Sequence, residues 1–325
     1  DSLVGAMQGR EVVFHCAGHY PRYSLDLTRE VACGTRTTRN VVTAALRAGV
    51  ERLVVTSSVA TVGPAGPGGE LSDERDAISQ AARDSVYVAV KQAIETEALG
   101  ATAQGLDVVV TCPTGIVGEL DVKAGTGFVF VALAHGMLPF YVQGRTNLVD
   151  ADDIARAHVA AAERGRTGNR YILAGHNLMV RDMLEAICDE LGVRFTSWRL
   201  PLPLATVAST LAEMRCAALG RGGRPFIPRE FVDVVAHGQW VDGSKAQREL
   251  GLDAATPLHV TLGKACAWYE RFRYIPRRAA RCDLVTTDPS PGHVTTPSGE
   301  RRSSHHDKAG EALVASQRSP ARRAQ

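Results

Sequence analysis

The sequence predicts an α/β fold built on a doubly wound parallel sheet, with a smaller mixed, mainly helical lobe attached. Two observations predict it. Short apolar runs recur at Glu11–His15, Arg52–Ser58 and Asp107–Cys112, each ending in small or hydroxyl-bearing residues. Helical stretches of suitable length separate them, which is the pattern of right-handed βαβ units. The composition, 45% hydrophobic and 22% charged over 325 residues, is ordinary for a soluble globular chain with one large core or a core and an annex.

Glu11-Val-Val-Phe-His15 reads as a buried parallel strand passing into Cys16-Ala17-Gly18. Small residues there would let a flat ligand approach the backbone, although an ordinary strand-to-loop turn looks the same. Thr37 to Ala48 reads as a helix closed by Gly49. The second strand finishes in Ser57 and Ser58, at the sheet edge where ligands of such folds bind. A loop rich in Gly and Pro, Gly63–Gly69, follows.

Ser85 to Thr102 has helical composition and carries Tyr87 and Lys91 one turn apart on one face. A phenol is a weak acid with a solution pKa near ~10, and a neighbouring ammonium favours the phenolate. Tyr-x-x-x-Lys is therefore a workable proton-transfer pair, although taken alone the spacing also occurs on solvated helices.

The third strand, Asp107–Cys112, leads into Pro113-Thr114-Gly115. Gly127–Gly136 is helix-like, and Asn147 to Asp153 opens a helix reaching about Glu163, with Asp152 and Asp153 as N-terminal charges rather than metal ligands. Arg170–Ala174 is a short strand. Arg181–Leu191, Leu204–Leu219 and Pro257–Arg273 read as helices of the smaller lobe, and Trp240–Asp242 with Ser244–Leu250 as one more strand and helix. The domain reading is 1–175 for the sheet domain, 176–275 for the smaller lobe and 276–325 for a disordered basic tail, where nine Lys/Arg stand against five Asp/Glu. That charge is dilute and free of interleaved aromatics, so no nucleic-acid partner is expected, and His305-His306 reads as solvated.

No run of about 18 apolar residues marks a membrane span, and the start has no signal-peptide pattern. Seven cysteines form no Cys-x-x-Cys pair, which suits a reducing cytoplasm and gives no metal site.

Taken together, His15-Cys-Ala-Gly, Thr38-Arg-Asn40-Val-Val, Val55-Thr-Ser57-Ser58-Val-Ala-Thr, Tyr87-x-x-x-Lys91, Pro113-Thr-Gly-x-Val-Gly118 and Asn147-Leu-Val-x-x-Asp152-Asp153-Ile-Ala-Arg resemble the extended short-chain dehydrogenase/reductases. These are Rossmann-like proteins of the NAD-dependent epimerase/dehydratase superfamily, and the likeness runs from residue 1 to about 275. Arg145-Thr-Asn-Leu-Val, Arg170-Tyr-Ile-Leu-Ala-Gly-His-Asn-Leu and Lys245-Ala-x-Arg-Glu-Leu-Gly are similar to the dihydroflavonol-4-reductase-like group and its hopanoid-associated sugar epimerase branch.

The resemblance implies hydride transfer between NAD or NADP and a carbonyl or alcohol carbon of a small-molecule substrate. It implies Tyr87 as acid/base, Lys91 on the nicotinamide ribose and Ser58 on the substrate oxygen, with Ser57 as substitute. Ala17, Gly18, Pro113 and Thr114 would line the cofactor, and a homodimer is compatible with it. A sugar epimerase or dehydratase would use the same residues. A non-catalytic binding protein is the remaining alternative, should the short N-terminus be genuine.

Two departures stand out. Gly34 occupies a position where the family commonly has asparagine, and Thr37 one where glycine is common. There is also no Gly-x-x-Gly-x-x-Gly loop near the start, so roughly 60 residues, two βα units, read as absent. The expected consequences are an N-terminally incomplete sheet, exposed apolar flanks on the strands at 11–15 and 52–57, and weak cofactor binding. For the substrate, Leu200-Pro-Leu-Pro-Leu-Ala-Thr-Val-Ala with Phe226, Phe231 and Trp240 leans toward an apolar ligand or forms the core of the smaller lobe.

Overall fold

The computed structural model describes residues 2–21, 24, 26–64, 71–78, 85–123, 125–218, 232, 238 and 240–276. The expectations for the basic tail beyond Pro276, for His305 and His306, for Phe226 and Phe231 and for most of the Gly63–Gly69 loop lie outside these residues.

Helix α1 (Ser2–Met7) precedes β1 (Val12–His15), α2 (Leu27–Ala48), β2 (Arg52–Thr56), α3 (Val86–Gly100) and β3 (Asp107–Pro113). Only the second half of α2 was legible, because Cys33, Gly34 and Thr35, just before it, are poor helix formers. The helix starts at Leu27 because the Asp26 side chain accepts the Arg29 N–H. Inside it, the Thr37 and Thr38 hydroxyls donate to the carbonyls of Cys33 and Gly34. Gly49 closes it in the left-handed region, at φ 70°.

β1, β2, β3 and β7 (Arg170–Leu173) form a parallel sheet in that order. Because side chains alternate across a strand, the interior strands feed two cores. Leu53, Val55, Val108, Val110 and Ile172 pack with α2 and α3 on one face. Val54, Val109, Tyr171 and Leu173 pack with α5 (Ala151–Arg164) and α8 (Ser244–Leu250) on the other. The sheet is thus wound on both faces, as expected.

The exposure expected of the strand flanks holds for β1 and fails for β2. On the face carrying Val12 and Phe14, α5 packs on β2 and β3, and both β1 side chains remain exposed. β2 is paired on both sides, and Leu53, Val54 and Val55 are fully buried. On the opposite face Gly34 explains one departure noted in the sequence. A Cβ there would stand 3.0 Å from Val90 Cγ1, so glycine lets α2 lie closely on α3.

A third core gathers Val117, Phe130, Leu148, Leu184, Leu262 and Tyr269, and so is assembled from two separate stretches of chain. Its elements are β4 (Gly115–Val117), α4 (Phe128–Ala134), β6 (Arg145–Asp150), β8 (His176–Met179), α6 (Val180–Leu191) and α9 (Leu258–Arg271). β6 joins β4 in parallel and β8 antiparallel. β5 (Phe140–Tyr141) pairs β9 (Trp198–Arg199), which leads into α7 (Leu202–Ala218).

Two local readings are corrected. Asn147 to Asp150 is not the opening of a helix but the end of β6, and Asp150 caps α5 by accepting the Asp152 N–H at 2.8 Å. Trp240–Asp242 supplies a single bridge, Val241 to Ser72, in place of a strand. Among the described residues no helix is long and apolar enough to cross a membrane.

Candidate active site

The sheet brings its carboxyl-end residues to the helix that carries the Tyr-x-x-x-Lys pair. α3 is capped by Ser85, whose hydroxyl oxygen accepts the Val88 N–H at 3.4 Å. From the turn after that cap, Tyr87 projects half-buried, its ring edge-on to Tyr20 with centroids 5.0 Å apart. Tyr20 lies in the loop that leaves β1, so the aromatic contact ties α3 to the strand bearing Ala17 and Gly18.

One turn further, Lys91 is only 7% exposed, and its Nζ donates to the Thr56 carbonyl at 3.4 Å. Burial lowers its pKa, and the neighbouring thiols of Cys112 and Cys16 only partly oppose that. The ammonium is therefore held at the carboxyl end of β2, next to Ser57 and Ser58. Gly18 faces it as well, since a Cβ on that glycine would lie 3.9 Å from Lys91 Nζ. His15 is buried nearby with Nε2 unpartnered by the protein, and burial together with the Lys91 charge lowers its pKa.

Ser57 and Ser58 are separated in role by the structure. The Ser57 hydroxyl donates to Glu95 Oε2 at 2.6 Å. Ser58 uses its oxygen to accept the Ala60 N–H at 3.2 Å, capping a short 3-10 turn at Val59–Thr61. As an acceptor it keeps its own O–H hydrogen for another partner.

Thr114 is turned away from any ligand role for its side chain. Its hydroxyl donates to Asn147 Oδ1 at 2.7 Å and its N–H to the Leu173 carbonyl at 3.2 Å. Pro113 has no N–H, so a ligand at this strand end would meet carbonyl oxygens and the proline ring.

Sequence reasoning missed the buried cluster behind the pair. Glu95 follows Lys91 by one turn, on the face shared with Tyr87, and is 6% exposed. It accepts from Ser57, takes the Thr61 hydroxyl at 2.8 Å and pairs with Arg170, whose Nε lies 2.8 Å from Oε1. That N–H is not aimed for a hydrogen bond, and Arg170 Nη2 instead donates to the Thr61 carbonyl at 3.0 Å. A charged residue between the core positions Ile94 and Ala98 was the available signal. Its partner, on β7, was not deducible locally.

His158 was also missed. It lies on the other face of the sheet, buried, with Nδ1 2.8 Å from the Ile154 carbonyl. A carbonyl only accepts, so Nδ1 carries the proton and Nε2 accepts from the Thr56 and Thr111 hydroxyls at 2.9 and 3.0 Å. Burial lowers its pKa.

Comparison with known proteins shows the family. The profile of the NAD dependent epimerase/dehydratase family matches residues 1–174. A Synechocystis protein named as a dihydroflavonol 4-reductase is 33% identical over 274 residues, covering 83% of this chain and 79% of the relative. Sterol demethylase protein B of Methylococcus capsulatus is 26% identical over 82% of this chain and 81% of its own. The crystal structure of a nucleoside-diphosphate-sugar epimerase from Pseudomonas aeruginosa superposes with a TM-score of 0.66 at 31% identity, over 84% of this chain and 80% of that one. By profile, relatives and fold, this chain belongs to the NAD dependent epimerase/dehydratase family, the enzymes of the extended short-chain dehydrogenase/reductase type.

Proposed function

We propose that the chain is an oxidoreductase that works with NAD or NADP on a carbonyl or secondary alcohol, with Tyr87 exchanging the proton. The observation that carries the reading is Lys91, a buried ammonium on the Thr56 carbonyl at the sheet's carboxyl end, one turn from Tyr87 on the same helix.

The residues present fit a nicotinamide cofactor. Exposed Ala17 and half-buried Gly18 leave the backbone after β1 open beside Lys91, and no side chain of Gly18 stands between them. Ala17, Gly18 and Lys91 would hold it, together with the carbonyls near Pro113 and Thr114. When bound, such a cofactor donates or accepts the hydride.

The chain's own work is proton transfer and orientation. Ser58 donates its O–H to the substrate oxygen and orients it. Tyr87 gives its phenolic proton to that oxygen in reduction and takes it back in oxidation. Lys91, one turn along the helix, favours the phenolate by its positive charge. Ser57, bound to Glu95, serves as a strut beneath Ser58 rather than as a donor to substrate. Free thiols such as Cys16 and Cys33 suit a reducing cytoplasm.

The test uses the relatives' compound classes as a panel: dihydroflavonols, sterol ketones and nucleotide sugars, each with millimolar NADH or NADPH. Turnover of one class should fall by about 10²–10⁴-fold in Tyr87→Phe, the size of a lost general acid. A Tyr87→Phe protein that turns over at the unchanged rate would refute the role of Tyr87.

A further inference from the structure

The two members of the Tyr-x-x-x-Lys pair are fixed to unequal degrees. Lys91 is 7% exposed and is held by the packing around it. Tyr87 is half-buried and is the second residue of α3, in the turn whose N–H groups lack partners inside the helix. The Ser85 cap steadies that turn with a bond of 3.4 Å, at the long end of the usual range. A phenol acts as acid or base only within hydrogen-bond reach of its partner oxygen, so the direction of this ring decides whether it can work.

Tyr20 is placed to set that direction. Its ring stands edge-on to the Tyr87 ring, with centroids 5.0 Å apart and planes at 65°, an orientation that the ring quadrupoles favour. Tyr20 itself is 60% exposed, and exposure alone would give it no role. Its neighbours in the chain supply one. His19 Nε2 lies 2.5 Å from Glu30 Oε2, in the first turn of α2. Pro21 is buried, and its own ring fixes its φ. Tyr20 is thus pinned on both sides. The pin leads back to the helix that bears Tyr87, because α2 lies along α3, with Gly34 letting it approach Val90. The outcome is a closed frame: α3 to α2, α2 to the loop after β1, and that loop back to α3 through the two rings.

Tyr20 also follows Ala17 and Gly18 closely in the chain. A ring that only walled the cofactor would act on binding, whereas a ring set against Tyr87 acts on turnover. The observed contact is with Tyr87.

We infer that Tyr20 is a positioning residue for Tyr87, its ring holding the phenol in the direction from which it reaches the substrate oxygen. This role rests on the proton exchange proposed for Tyr87.

The experiment has a spectroscopic arm and a kinetic arm. The chain is labelled with 3-fluorotyrosine at its seven tyrosines, and Tyr87→Phe identifies the Tyr87 fluorine resonance. That resonance should stay in place in Tyr20→Phe and should move toward the position of a free tyrosine in Tyr20→Leu, where the neighbouring ring is lost. In the kinetic arm, dihydroflavonols, sterol ketones and nucleotide sugars are offered with NADH or NADPH. Tyr20→Leu should lower kcat by about 10–100-fold, the cost of a misplaced reacting group, while leaving the cofactor KM within about threefold. Tyr20→Phe should restore kcat. Thermal melts confirm folding, and Tyr20→Met replaces Tyr20→Leu if the latter melts early. A Tyr87 resonance unmoved in Tyr20→Leu overturns the inference, whether or not any compound is turned over. So does a raised cofactor KM with unchanged kcat, which makes Tyr20 a wall of the cofactor site. Unchanged kcat in Tyr20→Leu, where Tyr87→Phe loses turnover, overturns the inference alone. Unchanged turnover in Tyr87→Phe removes the proton role of Tyr87 and the inference with it.

Discussion

Removing the Glu95 carboxylate should open the buried polar cluster behind the Tyr87–Lys91 pair. In Glu95→Ala the Ser57 and Thr61 hydroxyls lose their acceptor, at 2.6 and 2.8 Å, and Arg170 loses its counter-ion at 2.8 Å. The site is nearly dry, with Glu95 6% exposed and the Arg170 side chain 20% exposed. Removing one partner of a buried pair costs about 3–5 kcal/mol, chiefly because the other charge is left uncompensated. The two hydroxyls can turn to other acceptors, so their loss falls within that range rather than adding to it. Glu95→Ala is therefore expected to lower the unfolding free energy in urea by about 3–5 kcal/mol. Glu95→Ala/Arg170→Met should recover at least half of that loss, because the stranded guanidinium is gone. A single-variant loss below about 1 kcal/mol, or a double variant no better than the single, would refute the reasoning.

Two further predictions follow from the same geometry. His15 and His158 are held neutral by burial, with pKa values below the ordinary 6.5. The unfolded chain therefore binds more protons as pH falls through 6.5, and stability should drop below it by at most about 1.4 kcal/mol per pH unit for each histidine; His158→Gln should reduce that slope, and an unchanged slope counts against it. Lys91→Met should raise the melting temperature while abolishing turnover, since burial already disfavours the ammonium and a methionine of similar length fills the same space; a lower melting temperature would show that the bond to Thr56 outweighs desolvation.

Local chemistry was readable directly. The apolar runs at Arg52 and Asp107 are strands because their interiors must be buried, and a parallel sheet covered on both faces is the structure that does so; the run at Glu11 joins them as an edge strand whose Val12 and Phe14 stay exposed. Tyr87 and Lys91 share a helix face because four residues make about one turn, whatever surrounds them. The start of α2 was lost because Cys33, Gly34 and Thr35, weak helix formers, interrupt it in sequence, and only packing on α3, close enough to need Gly34, carries the helix through them. β6 was lost because Asp150, Asp152 and Asp153 look alike as helix-opening acids, and only pairing with β4 shows that the strand runs up to the cap.

The rest belonged to the tertiary structure. Glu95 meets Arg170 across 75 residues of chain because β3 and β7 are paired in register, and no local pattern encodes a register. Ser57 and Ser58 are chemically equal in the sequence; the direction of the chain leaving β2 sends the first to Glu95 and leaves the second to cap a turn. On α7 the apolar spacing specified a face but not its direction. Apolar periodicity is the same whether a helix turns that face toward a core or away from it, and only packing of Ala205 and Ser209 inward set Leu204, Val207, Leu211 and Met214 outside.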